Sequence, residues 1–455
     1  MTSSPDLQQA TAADVWPAGL TRDADGALAL RGRPLTELAA DYGTPAYLID
    51  VEDLLTRARS FRDEFAAAFA AIGTRCDVFY AGKAFLATPL VRLLDAEQLN
   101  LDVCTGGELA VAAKAGFPGD RIGMHGNNKS VAEIDAALDY GVGRIIVDSF
   151  DEIDRVAASA EQRGIRARVM LRVKTGVEAH THEFIATAHE DQKFGFSLDG
   201  GEVAEAAARV LARPDALELL GFHSHIGSQI FESDGFAVAA QRLITLQLQV
   251  ARDQGVTLPE LDLGGGFGIA YLPSDTPLTE AQMAGRLAAI VRDACAEAGM
   301  PVPRVSIEPG RAIVGPAGIT LYEVGTVKPV QATDTLVRTY VSVDGGMSDN
   351  PRPALYQADY AAALANRAGG NTDLLARVVG KHCESGDIVV REAQLPADTA
   401  PGDLLAVAAT GAYCRSLASQ YNHVPRPPVL AVVDGDVRTW LRRETIDDLL
   451  ALEGE

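Results

Sequence analysis

Eight short apolar runs rich in β-branched residues alternate with amphipathic stretches between residues 77 and 310. Their length and composition predict buried strands, at residues 77–80, 99–103, 121–125, 144–147, 167–173, 219–226, 258–263 and 304–307. The stretches between them follow the helical period, and one begins at Ser130 with Glu133 three positions later, as in a capping box. Strands that alternate with helices predict a parallel sheet, and eight strands can close a barrel.

The positions of chemically reactive residues distinguish a barrel from an open, doubly wound sheet. Such residues stand at or just past the C-terminal ends of different predicted strands: Lys83, Asp102, His125, Asp148, Arg172, His225, the glycines at 264–266 and Glu308. In an open sheet the ligand-binding loops concentrate at one switch point. In a barrel all the strand ends surround a single mouth. The sequence therefore predicts an α/β chain with a (β/α)8, TIM-like barrel.

The pattern changes after Arg311, where strand-like runs follow one another without long helices between them. This predicts a C-terminal all-β domain. The N-terminal run "ALALRGRPL" is also strand-like, and we expect it to complete that β domain before the chain enters the barrel near Pro45. The predicted limits are 1–45 for the N-terminal segment, 46–315 for the barrel and 316–455 for the β domain.

Charge and cysteine content narrow the possible partners. The 455 residues carry a formal net charge of −22, which argues against nucleic acid or an anionic membrane as partner. The first residues lack the pattern of a signal peptide, and no apolar run approaches the ~20 residues of a membrane span. Five scattered cysteines without a CxxC motif fit a reduced, cytoplasmic protein without a zinc site. The segment with His180, His182 and His189 is expected to be a surface loop, because its spacing matches no metal motif.

Lys83 and a glycine run are the first candidates for a site. Lys83 stands between Gly82 and Ala84 at the end of a predicted buried strand. A desolvated lysine can have a lowered pKa and attack a carbonyl group as a nucleophile. In "LDLGGGFGIAY", the amides of Gly264, Gly265 and Gly266 could cradle a phosphate, although a tight turn explains such a run equally well.

The last predicted barrel strand ends in "IEPGRAIVG". A carboxylate such as Glu308 in a mostly apolar mouth needs a cation or a protonated ring as partner, and a structural pair with Arg311 is the alternative. In "GFHSHIGSQI", we expect His223 and His225 to point to opposite faces. This argues against a metal shared by both, and leaves one imidazole to face a ligand as a flat ring.

Three short motifs of the β domain supply further candidates. Cys383 and Glu384 lie in "KHCESGD", where the thiol could be a proton donor, a nucleophile or a small buried residue. Arg352 with Tyr356 in "DNPRPALY" could receive a carboxylate, and Tyr413 follows a glycine turn. A reactive lysine, a phosphate cradle, a flat histidine and a carboxylate facing a ring nitrogen together are what pyridoxal 5′-phosphate requires.

The motifs "YAGKAF", "LDVCTGGELA", "MHGNNKS", "HSHIGSQ", "LDLGGGFG", "EPGR", "HCESGD" and "TGAY" closely resemble those of diaminopimelate decarboxylases, which are alanine racemase-like, fold type III pyridoxal-phosphate enzymes. The resemblance runs from about residue 30 to 445 with the motifs in order. It implies a cofactor-bearing barrel, a β domain built from both chain ends, and a homodimer whose two active sites lie at the subunit interface.

The resemblance also implies roles for individual residues. Lys83 resembles the lysine that forms the Schiff base, Glu308 the partner of the pyridine nitrogen and His225 the imidazole stacked on the ring. The other residues that the resemblance implies at the cofactor are Ser228, Gly264, Gly265, Gly266, Gly310, Arg311 and Tyr413. Those implied at the amino-acid substrate are Arg311, Arg352, Tyr356, Glu384 and Tyr413.

The implied reaction removes CO2 from the D-centre of meso-diaminopimelate and yields L-lysine. Cys383 is the leading candidate to protonate the resulting carbanion, with Lys83 and Tyr413 as rivals, and Cys383 and Glu384 would come from the other subunit. Gly82 and Phe85 depart from the residues that many relatives carry beside the lysine. The alternatives are a decarboxylase of ornithine, arginine or a D-diamino acid, an alanine racemase, and an inactive relative with a binding role.

Overall fold

The computed structural model describes residues 15–177, 192–370 and 374–454. The chain divides into two compact units. The β unit comprises Met1–Thr56, Ile269–Thr276 and Arg311–Glu455, and the barrel unit comprises Arg57–Gly268 and Pro277–Gly310. These units do not test the predicted domain limits of 1–45, 46–315 and 316–455, which stay a prediction.

The N-terminal part of the chain builds two pieces of the β unit. A three-stranded antiparallel sheet contains β1 (Leu20–Arg22), β2 (Leu28–Leu30) and β3 (Arg33–Pro34). Helix α1 (Leu35–Tyr42) follows, and β4 (Ala46–Asp50) then enters a larger sheet. Strand β4 is buried along its whole length, which fits its apolar sequence and its central place in that sheet.

The barrel unit is a closed ring of eight parallel strands, as predicted. The unit contains β5 (Cys76–Ala81), β6 (Asn100–Val103), β7 (Ile122–Met124), β8 (Arg144–Val147), β9 (Ala167–Lys174), β10 (Phe196–Ser197), β11 (Leu217–His223), β12 (Glu260–Asp262) and β13 (Arg304–Ile307). Strand β13 pairs with β5, and β8 pairs with β9, so these eight strands close a ring. Among the described strands, short β10 pairs with β9 alone. The predicted barrel is confirmed, and the open, doubly wound sheet is excluded.

Helices connect the barrel strands on the outside of the ring. They are α2 (Val51–Ala70), α3 (Thr88–Ala96), α4 (Gly106–Ala115), α5 (Val131–Tyr140), α6 (Phe150–Arg163), α7 (Glu202–Leu211), α8 (Asp234–Gln254) and α9 (Glu280–Ala298). The predicted capping box is present at α5, where Ser130 and Glu133 each accept a hydrogen bond from the other's backbone amide. No helix of these described ranges is long and apolar enough to cross a membrane.

Side chains fill the inside of the barrel. Ile146, Met170 and Leu220 form a buried apolar cluster. A polar layer accompanies it, because the guanidinium of Arg144 donates to Ser306 Oγ at 3.0 Å and forms an ion pair with Asp262. A filled interior confines ligand binding to the mouth of a barrel of this size.

The C-terminal part is dominated by strands, which confirms the predicted separate β domain. Its strands are β14 (Gly318–Gln331), β15 (Val337–Val343), β16 (Ala362–Leu364), β17 (Leu374–Val379), β18 (Ile388–Leu395), β19 (Leu404–Val407), β20 (Val429–Val433) and β21 (Asp436–Leu441). In the nine-stranded sheet, N-terminal β4 lies between β14 and β20. The described α-helices of this part are short: α10 (Arg311–Val314), α11 (Arg352–Tyr356) and α12 (Ile446–Leu450).

Candidate active site

A cavity of about 340 Å³ lies at the C-terminal ends of the barrel strands. Its lining belongs entirely to the barrel unit and includes Lys83, Asp102, His125, His223, His225 and Glu308. These side chains come from the ends of different strands or the loops that follow them. The prediction that reactive residues meet at one barrel mouth is confirmed for Lys83, Asp102, His125, His225 and Glu308, and His223 lines the same cavity in addition.

Lys83 occupies a single 3-10 turn, Gly82–Ala84, directly after β5. A Cβ added at Gly82 would lie 2.7 Å from the carbonyl oxygen of Asp102, so a larger residue at this position would require the backbone to shift. The sequence predicts that Lys83 is buried, and this prediction is wrong. Gly82 and Ala84 are buried, but Lys83 is exposed and lines the cavity. The strand ends before Lys83, and its amine is therefore accessible to a ligand in the cavity.

Glu308 is the buried acid of the cavity, with an exposed fraction of 5%. Its Oε1 lies 3.0 Å from Nε2 of His223 and 3.3 Å from Nε2 of His125. His125 Nε2 is also 3.2 Å from Oδ1 of Asp102. Burial raises the pKa of both Glu308 and Asp102 and lowers the pKa of each of these histidines to about 3. Both imidazoles are therefore neutral near pH 7.

The atoms of this cluster are close without being hydrogen-bonded to one another. Oε1 of Glu308 and Nε2 of both His125 and His223 are buried and have no hydrogen-bond partner among the described residues. Such atoms need a ligand group to satisfy them. Their mutual separations, within 4.8 Å, are also compatible with a metal ion, so the sequence expectation of no metal stays a prediction.

His223 and His225 both line the cavity, which corrects the prediction that they point to opposite faces. Residues two positions apart lie on the same face of an extended chain, so alternation itself places His225 on the side of His223, the last residue of β11. The Nδ1 atom of His225 accepts a hydrogen bond of 3.2 Å from the amide of Gly265. Burial lowers the pKa of His225 well below its usual value, with Lys83 contributing, so the ring is neutral and carries its proton on Nε2.

The glycine run after β12 is explained first by close packing. A Cβ at Gly264, Gly265 or Gly266 would lie within 2.5 Å of a backbone oxygen of Ser224, Glu308 or Gly227 respectively. The amide of Gly264 donates to Asp262 Oδ1 at 2.8 Å, and that of Gly265 donates to His225. The tight-turn interpretation is therefore sufficient for these glycines, and a phosphate cradle remains a proposal.

Ser228 and Gly310 are also in the barrel unit. Ser228 is half-buried in the loop after β11. Gly310 packs on β5, since an added Cβ would lie 2.9 Å from both Cβ and the carbonyl oxygen of Ala81. This close packing explains the glycine at position 310 without any contact to a ligand.

The β unit brings three of the predicted substrate residues together. Arg311 and Arg352 are buried and both donate to the hydroxyl of Tyr271. The guanidinium of Arg311 also lies 4.6 Å from the ring centre of Tyr413. Tyr356 ends α11 and is half-buried. The cluster therefore contains Arg311, Arg352 and Tyr413, together with a tyrosine that the sequence motifs do not single out.

Cys383 and Glu384 are exposed on a turn of the β unit between β17 and β18. The amide of Cys383 donates to Asn422 Oδ1 at 3.3 Å, and the same oxygen lies 3.2 Å from Nδ1 of His382. The amide of His382 donates to Asp387. These bonds fix the turn and leave the thiol and the carboxylate at the surface. The histidines at 180, 182 and 189 lie outside the described residues.

Several residues at the cavity are given no role in the site from the sequence. Arg172 lies 3.9 Å from Asp148 and 4.2 Å from the ring centre of Phe194. Cys104, Thr105 and Asn127 also line the cavity. Arg172 is noted in the sequence only for its place at the end of a predicted strand, and the other three lie in the motifs "LDVCTGGELA" and "MHGNNKS" without an assigned role.

The residues of the cavity fit pyridoxal phosphate. The cavity offers the accessible amine of Lys83, a buried carboxylate oxygen of Glu308 without a hydrogen-bond partner among the described residues, and the neutral, flat imidazole of His225. These are groups that a Schiff-base-forming aromatic cofactor uses.

Comparisons with known proteins agree with this fit. Residues 52–315 match the family model described as "Pyridoxal-dependent decarboxylase, pyridoxal binding domain". The chain is 55% identical to a diaminopimelate decarboxylase of Mycobacterium tuberculosis over 97% of this chain and 98% of the relative. It is 44% identical to the diaminopimelate decarboxylase of Bacillus subtilis, covering 94% and 95% of the two chains.

A solved structure shares the fold. The diaminopimelate decarboxylase from M. jannaschii in complex with L-lysine superposes with a TM-score of 0.88 at 28% identity, covering 95% of this chain and 97% of that one. Sequence motifs, fold, cavity and full-length similarity therefore agree that this chain is an enzyme that belongs to the diaminopimelate decarboxylase family of pyridoxal-dependent decarboxylases.

Proposed function

We propose that the protein removes CO2 from the D-centre of meso-2,6-diaminopimelate and releases L-lysine, the last step of lysine biosynthesis, with pyridoxal 5′-phosphate as cofactor. The observation that carries this proposal is the cavity that collects Lys83, His225 and Glu308 in a chain similar over its full length to diaminopimelate decarboxylases. When bound, the cofactor supplies a protonated aromatic ring that takes up the electron pair left by CO2.

The cavity side chains have distinct tasks in this proposal. Lys83 attaches the cofactor, because its amine is exposed in the cavity. Glu308 keeps a proton on the ring nitrogen, which requires the carboxylate to be ionised despite its burial. His225 presents a neutral ring to one face of the cofactor, held by the amide of Gly265. Ser228, Gly264, Gly265, Gly266, Gly310, Arg311 and Tyr413 are assigned to the cofactor side.

The substrate is assigned to charged and phenolic groups of the β unit. Diaminopimelate carries an amino-acid centre at each end, so the end remote from the chemistry needs a cation for its carboxylate and an acid for its ammonium group. Arg352 and Glu384 supply these two charges, and Arg311, Tyr356 and Tyr413 complete the set. A simple diamino acid would need acidic partners only, which favours diaminopimelate over ornithine.

We further propose a cytoplasmic homodimer with shared active sites. Cys383 and Glu384 are surface-exposed in the single chain, as expected of groups that reach the site of a second copy. Cys383 is assigned to protonate the carbanion, with Lys83 and Tyr413 as alternative donors. All five cysteines are unpaired, which fits a reducing compartment.

A substrate panel tests the proposed reaction. CO2 release is measured for meso-diaminopimelate, L-ornithine and L-arginine side by side, with and without added cofactor. We expect release from meso-diaminopimelate, with L-lysine as product and dependence on the cofactor. Release from ornithine or arginine alone would contradict the assignment and favour a decarboxylase of another basic amino acid.

A further inference from the structure

One phenolic oxygen in the β unit receives two buried guanidinium groups. Nη1 of Arg352 donates to the hydroxyl of Tyr271 at 2.7 Å, and Nη1 of Arg311 donates to the same oxygen. The exposed fractions of Tyr271, Arg311 and Arg352 are 7%, 6% and 5%. Nη1 of Arg352 also donates to the hydroxyl of Tyr360, whose ring packs edge-on against that of Tyr271 at 5.2 Å.

After the hydrogen bonds within this cluster are formed, the groups that remain for a ligand are hydrogen-bond donors. A tyrosine hydroxyl has two acceptor positions and one hydrogen. The two arginines occupy both acceptor positions of Tyr271, so its own hydrogen is left to donate. Arg352 uses the two hydrogens of Nη1 on Tyr271 and Tyr360 and keeps those of Nη2 and Nε. A ligand that contacts this cluster must therefore accept hydrogen bonds.

The charge of the cluster indicates the same kind of ligand. Two guanidinium groups on one oxygen repel each other, and burial weakens the screening of that repulsion by solvent. Among the described residues, no carboxylate forms an ion pair with Arg352. A buried cation without an acidic neighbour is costly unless an anion joins it.

We propose that Tyr271 is a positioning residue that holds Arg311 and Arg352 as one carboxylate-binding pair. The inference rests on the proposed function, in which the anion is the remote carboxylate of the substrate. Planar guanidinium groups suit the two oxygens of a carboxylate, and a fixed phenol sets the spacing between the two cations. The hydroxyl of Tyr360 accepts a second bond from Nη1 of Arg352, so both hydroxyls restrain this guanidinium group and removing either weakens its placement.

The test compares Tyr271→Phe and Tyr360→Phe with a control, Tyr140→Phe, whose hydroxyl bonds Phe117 in the barrel unit. For each holoenzyme, kcat and KM are measured with meso-diaminopimelate, together with cofactor content and the inhibition constant of pimelate, the same dicarboxylate without amino groups. We expect Tyr271→Phe to raise KM and the pimelate constant by about tenfold or more, because charge-assisted bonds are lost. Changes in kcat should be smaller, and cofactor content should stay at the wild-type level.

Tyr360→Phe should raise the same two constants by a smaller factor, and Tyr140→Phe should leave them unchanged. Wild-type KM and pimelate affinity in Tyr271→Phe would overturn the inference. Loss of cofactor in parallel with loss of pimelate binding would also overturn it, since the anion would then be the cofactor's phosphate. If the wild type does not turn over meso-diaminopimelate, the proposed function fails, and calorimetric pimelate binding to wild type and Tyr271→Phe still decides the role of Tyr271.

Discussion

At the scale of single residues, the protonation of the cavity depends on burial more than on charge pairing. Glu308 lies within 3.3 Å of two imidazoles, yet burial raises its pKa. Burial lowers the pKa of His125 and His223, because it disfavours the charged form of an imidazole just as it disfavours the charged form of a carboxylate. The cofactor role assigned to Glu308 requires an anion. A protonated ring nitrogen would supply the charge partner that these neutral histidines do not.

We predict that His125 and His223 stay neutral down to at least pH 5. Their pKa values lie near 3, below the usual 6.5, so the unfolded chain binds protons between these values that the folded chain does not. Folding stability from these residues is therefore complete above pH 6.5 and is lost as the pH falls toward 3. Spectra of protein with ¹⁵N-labelled histidine should show neutral imidazoles at pH 5, and His125→Asn and His223→Asn should each remove one of them. Imidazolium signals from either residue at pH 6 would contradict this.

At the scale of elements, one buried ion pair fixes the loop after β7 that contributes to the cavity. Nζ of Lys129 donates to the carbonyl oxygens of Gly126 and Ile146 at 2.7 and 2.6 Å and lies 3.1 Å from both carboxylate oxygens of Glu152. Glu152 also accepts the amide of Asp148 at 2.7 Å. The pair thus joins the loop that carries His125 and Gly126 to β8 and α6.

Lys129→Met should destabilise the barrel unit. It leaves Glu152 buried without its cation, a change that costs about 3–5 kcal/mol in comparable sites. We expect a lower thermal unfolding midpoint and weaker cofactor retention, both partly restored in the double variant Lys129→Met, Glu152→Met. Lys114→Met, at an exposed position of α4, is the matched control. Equal midpoints for Lys129→Met and Lys114→Met would show that the buried pair does not hold the loop.

Elements were easier to predict from the sequence than contacts. The eight barrel strands follow from hydrophobic runs, because a strand buried on both faces leaves a local signal. The expected direction of one histidine is wrong, because His223 and His225 are two positions apart and an extended chain places such residues on one face. Tyr271 and Tyr360 bond a guanidinium group 81 and 8 residues away, and a single tyrosine carries no local pattern that indicates such a partner.

At the scale of the whole molecule, a chain of net charge −22 is proposed to bind an anionic cofactor and a substrate with two carboxylates. The overall field opposes such ligands at long range. Binding therefore depends on local cations, namely Lys83 at the cavity and the pair Arg311 and Arg352 in the β unit. The homologous family and the exposed turn of Cys383 lead to the proposal that each active site takes groups from two copies of the chain.

Subunit complementation tests that central proposal most directly. CO2 release from meso-diaminopimelate is measured for Lys83→Ala, for Cys383→Ala and for the two variants expressed together. We predict that Lys83→Ala is inactive and that Cys383→Ala is strongly impaired. Mixed dimers carry one intact site, so co-expression should restore about a quarter of wild-type turnover in a random mixture. Turnover by Lys83→Ala at the wild-type rate, or no recovery in confirmed mixed dimers, would contradict the account.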